Sequence, residues 1–307
     1  MLAPAGSLLY SLLHLGGFAG DLNFYRTRCG GASRVLEYGC GDGRVAAALV
    51  LGEASLTVLQ QQQQQQQHED AAPVFEKLKC DVGAVQYVGV ELSEPLAAKA
   101  RARLAVAESC TQIVSADMHE PLDEGDFDAV VLSANTFFCT PRHALVLERC
   151  AEALTPGGTL LLDVYNAVEW HEDAEAALAD DAADEEHKLE EVVVAAAATS
   201  GVDDDLLVVV EDEEGLEWKV YEREPSVDAA AQTIVCHYDF ESAVDGTLFS
   251  QTVEHHYVLP EELVRMLDAA GFAIEAIDGG FDGQSFEAAE SDHLVVVARL
   301  RGGPESA

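Results

Sequence analysis

Basic residues are scarce in this chain. Its 307 residues contain 17 Lys and Arg against 56 Asp and Glu, which gives a formal net charge of −39 at pH 7. A field of this sign repels nucleic acid and anionic membrane surfaces at long range, and the sequence contains no basic patch that would reverse it locally. We therefore expect no nucleic-acid partner and interpret the charge as the solvated surface of an acidic protein.

Paired cysteines and long apolar runs are also missing. The seven cysteines include no C-x-x-C pair, which favours a reducing compartment, and we expect no metal site. No segment is long enough to cross a bilayer, so we expect no membrane partner. The apolar run 8–15 follows no basic residue, which favours a cytoplasmic location, with an N-terminal targeting segment as the open alternative.

Glycine, by contrast, is concentrated in the stretch 34–45. An apolar strand there runs into Gly39, Gly41 and Gly43 and then into a helical pattern, so the backbone can turn tightly and leave room for a ligand. The spacing differs from the G-x-G-x-x-G of dinucleotide-binding folds, and Glu37 would repel a pyrophosphate. A carboxylate at this place suits a ligand that carries an ammonium and a sulfonium. A plain structural loop is the alternative.

Further apolar runs follow in an order typical of alternating strands and helices. They lie at 86–93, 111–118, 126–133 and 155–163, and the first two carry the acids Glu91 and Asp117 near their ends. In open α/β sheets, ligands bind at the carboxyl ends of the strands, where such acids would stand. A carboxylate in the place of Glu91 can accept both hydroxyls of a ribose.

Together, the glycine stretch and these runs resemble the class I S-adenosylmethionine-dependent methyltransferases, from about Asp21 to Leu300. The resemblance implies a seven-stranded, mostly parallel, Rossmann-like α/β sheet with helices on both faces. It implies an enzyme that uses S-adenosyl-L-methionine and methylates a small-molecule acceptor at nitrogen or oxygen by in-line displacement. The cofactor-binding residues that it implies are Glu37, Gly39, Gly41, Gly43, Glu91, Leu92, Asp117, Met118 and Ser133.

Two functions of other classes stay open at this point. One is a non-catalytic relative that keeps the fold as a binding module. The other is a nicotinamide-dependent oxidoreductase, which Glu37 and the glycine spacing disfavour. The acceptor, a general base and the oligomeric state do not follow from the sequence.

Two insertions interrupt the predicted core. The first, 53–85, contains an uninterrupted glutamine tract at 60–67, which we expect to be disordered and to lie at the sheet edge away from the ligand. The second, 166–257, begins with an acidic stretch, 172–191, expected to be a solvated helix or a loop. The predicted domains are therefore a core of 1–165 with 258–307, and an acidic linker and antiparallel β cap at 166–257.

Alternating residues at 216–220, 234–240 and 249–259 predict three antiparallel strands in the cap. Asp245-Gly246 predicts a two-residue hairpin turn, which would pair Cys236 with His255 and Tyr238 with Val253. His255 and Tyr238 would then share the apolar face, with His237 on the opposite one.

Four residues are candidates for a catalytic role: His255, Tyr238, Tyr25 and His119. Each has a structural alternative, which for His255 is a core histidine beneath the cap.

Overall fold

The computed structural model describes residues 17–51, 85–185, 206–211 and 216–302. The chain divides into two compact units, one of 1–166 with 259–307 and one of 167–258. The glutamine tract 60–67 lies outside the described residues, as does the predicted insertion 53–85 up to its last residue.

The strands and α-helices of the described residues have the following bounds. The strands are β1 Arg34–Tyr38, β2 Gln86–Glu91, β3 Thr111–Ser115, β4 Phe127–Leu132, β5 Leu154–Tyr165, β6 Leu206–Glu211, β7 Glu217–Asp228, β8 Thr233–Ser242, β9 Leu248–His256, β10 Phe272–Asp278 and β11 His293–Leu300. The helices are α1 Asp21–Arg28, α2 Arg44–Val50, α3 Glu94–Arg103, α4 His143–Ala153, α5 Val168–Glu185 and α6 Pro260–Ala269.

The first unit contains a seven-stranded sheet in the order β10-β11-β5-β4-β1-β2-β3. Strands β1 to β5 are parallel, and β11 is antiparallel to both of its neighbours. The strand order reverses between β1 and β4, which is where ligands bind in open α/β sheets. Strands β1, β2, β4 and β11 are buried at nearly every residue, so both sheet faces are covered. The predicted fold class is confirmed.

Two strand ends differ from their predicted positions. Strand β3 ends at Ser115, so Asp117 lies two residues beyond it. Strand β5 begins at Leu154, just before the predicted run 155–163, because Leu154 pairs with Phe127 while Thr159 pairs with Ala129. The intervening residues bulge out of the ladder, with Gly157 at φ +82°.

Aromatic packing fixes helix α1 within the first unit. Phe281, from the loop after β10, lies 5.9 Å from Phe18 and 5.7 Å from Phe24 between ring centroids. Phe24 and Tyr25 are buried in the core, so the start of α1 is held close to the sheet.

The second unit contains a four-stranded antiparallel sheet in the order β6-β7-β8-β9. Strand β8 alternates, with Ile234, Cys236, Tyr238, Phe240 and Ser242 buried. Strand β6 was not predicted, because its run of Leu and Val has no two-residue alternation. The acidic stretch predicted as a helix or loop lies in part in α5, and 186–205 is outside the described residues.

The predicted register of the β8–β9 hairpin is wrong by two residues. Cys236 pairs with Val253 and Tyr238 with Gln251, because the loop spans four residues instead of two. The Ser242 N–H donates to the Thr247 carbonyl at 2.9 Å, which closes the ladder outside Asp245-Gly246. A shift of two residues preserves the faces, so His255 and Tyr238 still share the buried side.

Candidate active site

The glycine turn follows β1 directly and is held by the end of β2. The N–H groups of Gly39 and Cys40 both donate to the Val90 carbonyl, at 2.8 and 3.1 Å. Gly39, Gly41 and Gly43 have φ values of +68°, +56° and +82°, a region that side-chain-bearing residues disfavour. The predicted strand, tight turn and helix are therefore present.

The three glycines serve different purposes. A Cβ on Gly39 would lie 2.5 Å from the Thr136 side chain, and one on Gly43 would lie 3.2 Å from Ala100 of α3. Close packing therefore requires glycine at both positions. A Cβ on Gly41 would meet nothing within 4 Å, so the backbone there borders open space. Gly41 is the point at which a ligand can approach the main chain.

Glu91, at the end of β2, lies beside that open space. Its Oε2 accepts the Gly41 N–H at 2.9 Å, and its Oε1 accepts the Ser93 N–H at 2.7 Å. The residue is 8% exposed, and burial raises the pKa of its carboxyl group. Each oxygen retains acceptor capacity, because a carboxylate offers about four lone-pair sites.

Glu37 lies in β1 beneath the turn and is 1% exposed. Tyr87 donates its hydroxyl to Oε2 of Glu37, and Ser133 donates to Oε1 at 2.7 Å. Burial raises the pKa of Glu37 to about 7, against the opposing effect of those two hydrogen bonds. Both oxygens of Glu37 therefore lie buried beneath the turn, and each accepts a hydrogen bond from the protein itself.

A second buried acid, Asp163 of β5, has its own donors. It accepts the Tyr25 hydroxyl, and both of its oxygens lie 3.0 Å from the Ala134 N–H. Burial raises the pKa of Asp163 to about 6. Tyr25 is fully buried, so its contacts are accounted for without a substrate.

Arg44, the first residue of α2, is the guanidinium near these acids. It forms a bidentate pair with Asp21 of α1, at 3.1 and 2.6 Å, and both residues are buried. Electrostatic interactions also link Arg44 to Glu37 and Asp163. This cluster contains three buried carboxyl groups, those of Glu37, Asp163 and Asp21, and one cation, Arg44. When its carboxyl groups are ionised, the cluster is net negative and favours a cationic ligand.

The loop after β4 has an unusual backbone. Ala134 and Asn135 lie at φ +50° and +63°, consecutive left-handed conformations without glycine. The Asp163 carboxylate holds the Ala134 N–H, and Asn135 Oδ1 accepts the Tyr165 N–H at 2.8 Å. Such conformations cost on the order of 1–3 kcal/mol and cluster at functional sites. This loop starts with Ser133, at the carboxyl edge of the sheet.

The remaining predicted residues of this unit follow β2 and β3. Leu92 leaves its side chain 61% exposed directly after Glu91, and Met118 is half-buried. The Asp117 Oδ1 accepts the backbone N–H of His119 at 2.9 Å and also contacts the His119 ring. Desolvation raises the pKa of Asp117, but these hydrogen bonds outweigh it, so the pKa is lowered. His119 Nε2 lies 2.9 Å from Thr140 Oγ1, so His119 links two loops at this edge.

The other two candidates, His255 and Tyr238, belong to the second unit. They are 7% and 9% exposed on the same face of its sheet. His237 is half-buried on the opposite face and contacts Thr252 Oγ1 at 3.1 Å.

The described residues lack two further features. They contain no group of three or more His, Cys, Asp or Glu side chains that could hold a metal ion. None of their helices is long and apolar enough to span a membrane.

Comparison with known proteins shows a methyltransferase domain in part of the chain. Residues 70–162 match the family described as Methyltransferase domain, a range that extends through β2, β3 and β4 into β5. Over this range the chain is similar to methyltransferases, and its sheet has the fold of the class I enzymes. Its seven-stranded, mostly parallel sheet is the fold that the resemblance implied.

Solved methyltransferase structures share the fold. The CcbJ methyltransferase from Streptomyces caelestis is 21% identical with a TM-score of 0.60, over 98% of this chain and 94% of that one. An S-adenosylmethionine-dependent methyltransferase from Clostridium acetobutylicum is 12% identical, with a TM-score of 0.62 over 96% and 97%. The sugar N-methyltransferase KedS8 from Streptoalloteichus is 20% identical, with a TM-score of 0.58 over 96% and 93%. No curated protein sequence matches the chain.

The sequence did not identify several residues that build this candidate site. Asp163 carried a signal, since it is a lone acid at the end of an apolar run. Tyr87 and Arg44 could not be identified from the sequence, because their partners Glu37 and Asp21 lie 50 and 23 positions away. The left-handed backbone at Ala134 and Asn135 was equally hidden, since neither neighbour is glycine.

Proposed function

We propose that this methyltransferase moves the methyl group of S-adenosyl-L-methionine to a nitrogen or oxygen of a small-molecule acceptor by in-line displacement. The observation that carries the proposal is the open space at Gly41, bordered by the buried carboxylate of Glu91. A neutral or cationic ligand with ribose hydroxyls fits that pair of groups. A pyrophosphate does not, because Glu91 and Glu37 would repel it.

The charge around the turn supports a cationic cofactor. Glu37, Asp163 and Asp21 share one guanidinium, that of Arg44, within electrostatic reach. When S-adenosylmethionine is bound, its sulfonium supplies an electrophilic methyl group. The buried carboxylates stabilise positive charge near the turn through a medium of low dielectric constant, where such interactions are strong.

Three residues in the loops after β2 and β3 are proposed to hold the adenine. Leu92 offers an exposed apolar surface directly beyond Glu91, and Met118 offers a second, half-buried one. Asp117 remains 41% exposed at its side chain, although His119 occupies one of its oxygens. Its second oxygen can accept the exocyclic amine of the ring.

The proposed reaction requires little general acid or base catalysis from the protein. Alignment of the nucleophile with the methyl group can contribute about 7–11 kcal/mol, so positioning dominates. A base is needed chiefly for a hydroxyl or a protonated amine. We assign the cofactor to the unit of 1–166 with 259–307. The sugar N-methyltransferase among the similar structures supports a small polar acceptor.

Calorimetric titration with S-adenosylmethionine, S-adenosylhomocysteine and NAD tests the cofactor assignment. We expect saturable binding of the first two and none of NAD; the reverse result would establish the oxidoreductase alternative. A labelled-methyl screen over amino sugars, simple amines, carboxylic acids and phenols then tests transfer. Cofactor binding without transfer to any acceptor would instead indicate a binding module.

A further inference from the structure

The ring of His119 contacts a polar side chain at each of its nitrogens. Its Nδ1 contacts Asp117 Oδ1 in the loop after β3, and its Nε2 lies 2.9 Å from Thr140 Oγ1 in the loop after β4. Thr140 Oγ1 also accepts the backbone N–H of Arg142 at 3.0 Å. The side chains of Asp117, His119 and Thr140 are therefore connected in series, and we call these three residues the His119 bridge.

The proton positions in the His119 bridge follow from its two ends. A carboxylate only accepts hydrogen bonds, so Nδ1 of His119 carries the proton and donates to Asp117. In the neutral imidazole Nε2 is then an acceptor, and the Thr140 hydroxyl is its donor. Asp117 Oδ1 thus accepts two hydrogens from His119, one from the ring and one from the backbone N–H. Its Oδ2 accepts none from the described residues.

The His119 bridge joins the two sides of the candidate site. In the sheet, β3 is separated from β4 by β1 and β2, and so by about 14 Å. The glycine turn follows β1 and Glu91 ends β2, so both lie between the two strands whose loops the bridge connects. All of these residues belong to the unit of 1–166 with 259–307.

The exposed end of the His119 bridge is the carboxylate. Thr140 is 4% exposed, the His119 side chain 11% and the Asp117 side chain 41%. Hydrogen bonds to a group as exposed as Asp117 add little stability, because water supplies equivalent donors in the unfolded chain. What the bridge determines is the orientation of the carboxylate and which of its oxygens is left for a ligand.

The charge of Asp117 makes that oxygen selective. Desolvation raises the pKa of Asp117, but the hydrogen bonds from His119 outweigh it, so the carboxyl group is ionised at neutral pH. An ionised carboxylate attracts an amine and repels a carbonyl oxygen. Adenine carries an amine where hypoxanthine carries a carbonyl oxygen, so a fixed Asp117 Oδ2 distinguishes the two bases.

We infer that His119 and Thr140 are positioning residues that make the cofactor site selective for adenine over hypoxanthine. His119 holds Oδ1 of Asp117 and leaves Oδ2 to accept the exocyclic amine, while Thr140 holds the ring of His119. His119 has no part in proton transfer from the methyl acceptor, because both of its ring nitrogens are engaged within the protein. The inference rests on the proposed function for the identity of the ligand as an adenosine-containing cofactor.

Calorimetric titration of the full-length protein compares S-adenosylhomocysteine with S-inosylhomocysteine, which carries hypoxanthine in place of adenine. The readout is the ratio of the two dissociation constants, because loosened loops or lowered stability weaken both ligands alike. The bridge variants are His119→Phe, Thr140→Val and Thr140→Ser. The matched control is Thr111→Val at the opposite end of β3, where the hydroxyl donates to the Ala107 carbonyl at 2.9 Å. Melting temperatures are recorded for all variants.

We expect the wild-type protein to bind S-adenosylhomocysteine about ten to a hundred times more tightly than S-inosylhomocysteine, since one compound bonds a charged group and the other is repelled by it. His119→Phe should reduce this ratio about fivefold, because Asp117 loses a donor and must then be ordered on binding. Thr140→Val should reduce the ratio less, and Thr140→Ser should keep it because the hydroxyl remains. Thr111→Val should leave it unchanged.

Nitrogen NMR of the histidine rings tests the His119 bridge without any ligand. At about pH 8 we expect the His119 ring to be neutral with its proton on Nδ1. Thr140→Val should shift the Nε2 resonance of His119, because it removes the donor, and Thr111→Val should not.

Three results would overturn the inference and leave the proposed function intact. They are a proton on Nε2 of His119 in the free protein, a selectivity ratio that His119→Phe and Thr140→Val leave unchanged, and equal losses of the ratio in Thr140→Ser and Thr140→Val. Failure of the wild-type protein to bind S-adenosylhomocysteine would overturn the proposed function, and this inference with it.

Discussion

At the scale of single residues, the glycine turn separates packing from binding. The neighbours Thr136 and Ala100 exclude a side chain at Gly39 and Gly43, whatever the ligand. At Gly41 the only protein-imposed requirement is a positive φ. A substitution at Gly41 therefore tests the ligand more directly than one at either flanking glycine.

Gly41→Ala is expected to weaken S-adenosylmethionine binding at least tenfold, because the new methyl group enters the space left for the cofactor. Gly157→Ala is the matched control, since Gly157 also has a positive φ, +82°, and open space around its Cβ position. Both variants should lose a similar stability of about 1 kcal/mol from the disfavoured backbone conformation. Calorimetric titration measures the affinity, and equal cofactor affinity in the two variants would remove Gly41 from the site.

Glu37 should make stability depend on pH. Its pKa is raised by burial to about 7 from an ordinary value of 4.5, so the folded protein holds this proton more tightly than the unfolded chain. The corresponding stabilisation is complete below about pH 4.5 and is lost as the pH rises through about 7. Glu37→Gln keeps a neutral side chain throughout and should lack this loss.

We therefore expect the melting temperature of Glu37→Gln, relative to the wild type, to rise between pH 5 and pH 8 in the absence of cofactor. Taking the difference between the two proteins removes the general effect of the other acidic groups. Asp128→Asn, a carboxylate that caps the Ser33 and Arg34 N–H groups away from the buried cluster, provides the control. A difference that stays constant over this range would show that Glu37 is ionised in the folded protein at pH 5.

At the scale of elements, the sequence predicted what depends on local pattern. The succession of the strands along the chain in the first unit follows from apolar runs and glycines. The alternation of buried residues in β8 follows from its two-residue period. The register of the β8–β9 hairpin does not, because Asp245 Oδ1 accepts the Thr247 N–H and supports a loop longer than Asp245-Gly246 suggests. The strand β6 and the buried pairing of Asp21 with Arg44 depend on tertiary contacts that one sequence does not show.

The two faces of the β8–β9 hairpin should differ in their effect on activity. His255 lies on the same buried face as Tyr238 and Gln251, whereas His237 lies on the opposite face. We expect His255→Ala to lower turnover with little change in cofactor affinity, and His237→Ala to change neither. Turnover, S-adenosylmethionine affinity and melting temperature are measured together, because a loss explained wholly by unfolding, or equal losses in the two variants, would refute this role.

At the scale of the whole molecule, the net charge of −39 opposes folding through mutual repulsion. The ion pairs offset little of this repulsion. Arg34–Glu124, Arg299–Glu275 and Arg301–Asp268 are all substantially exposed, and such pairs contribute about 0–1 kcal/mol each. When salt screens both, the loss of repulsion among the acidic groups should therefore outweigh the loss of attraction within the ion pairs.

We predict that the melting temperature at pH 7.5 rises as NaCl is increased from about 0.01 M to about 1 M, where the Debye length falls from about 30 Å to about 3 Å. At pH 5, closer to the isoelectric point of about 4.2, part of the carboxylates are protonated and the rise should be smaller. Tetramethylammonium chloride distinguishes screening from the binding of a particular cation, because screening depends on ionic strength alone. A melting temperature that falls with salt, or that rises as much at pH 5 as at pH 7.5, would show that repulsion among the acidic groups does not limit the stability of this protein.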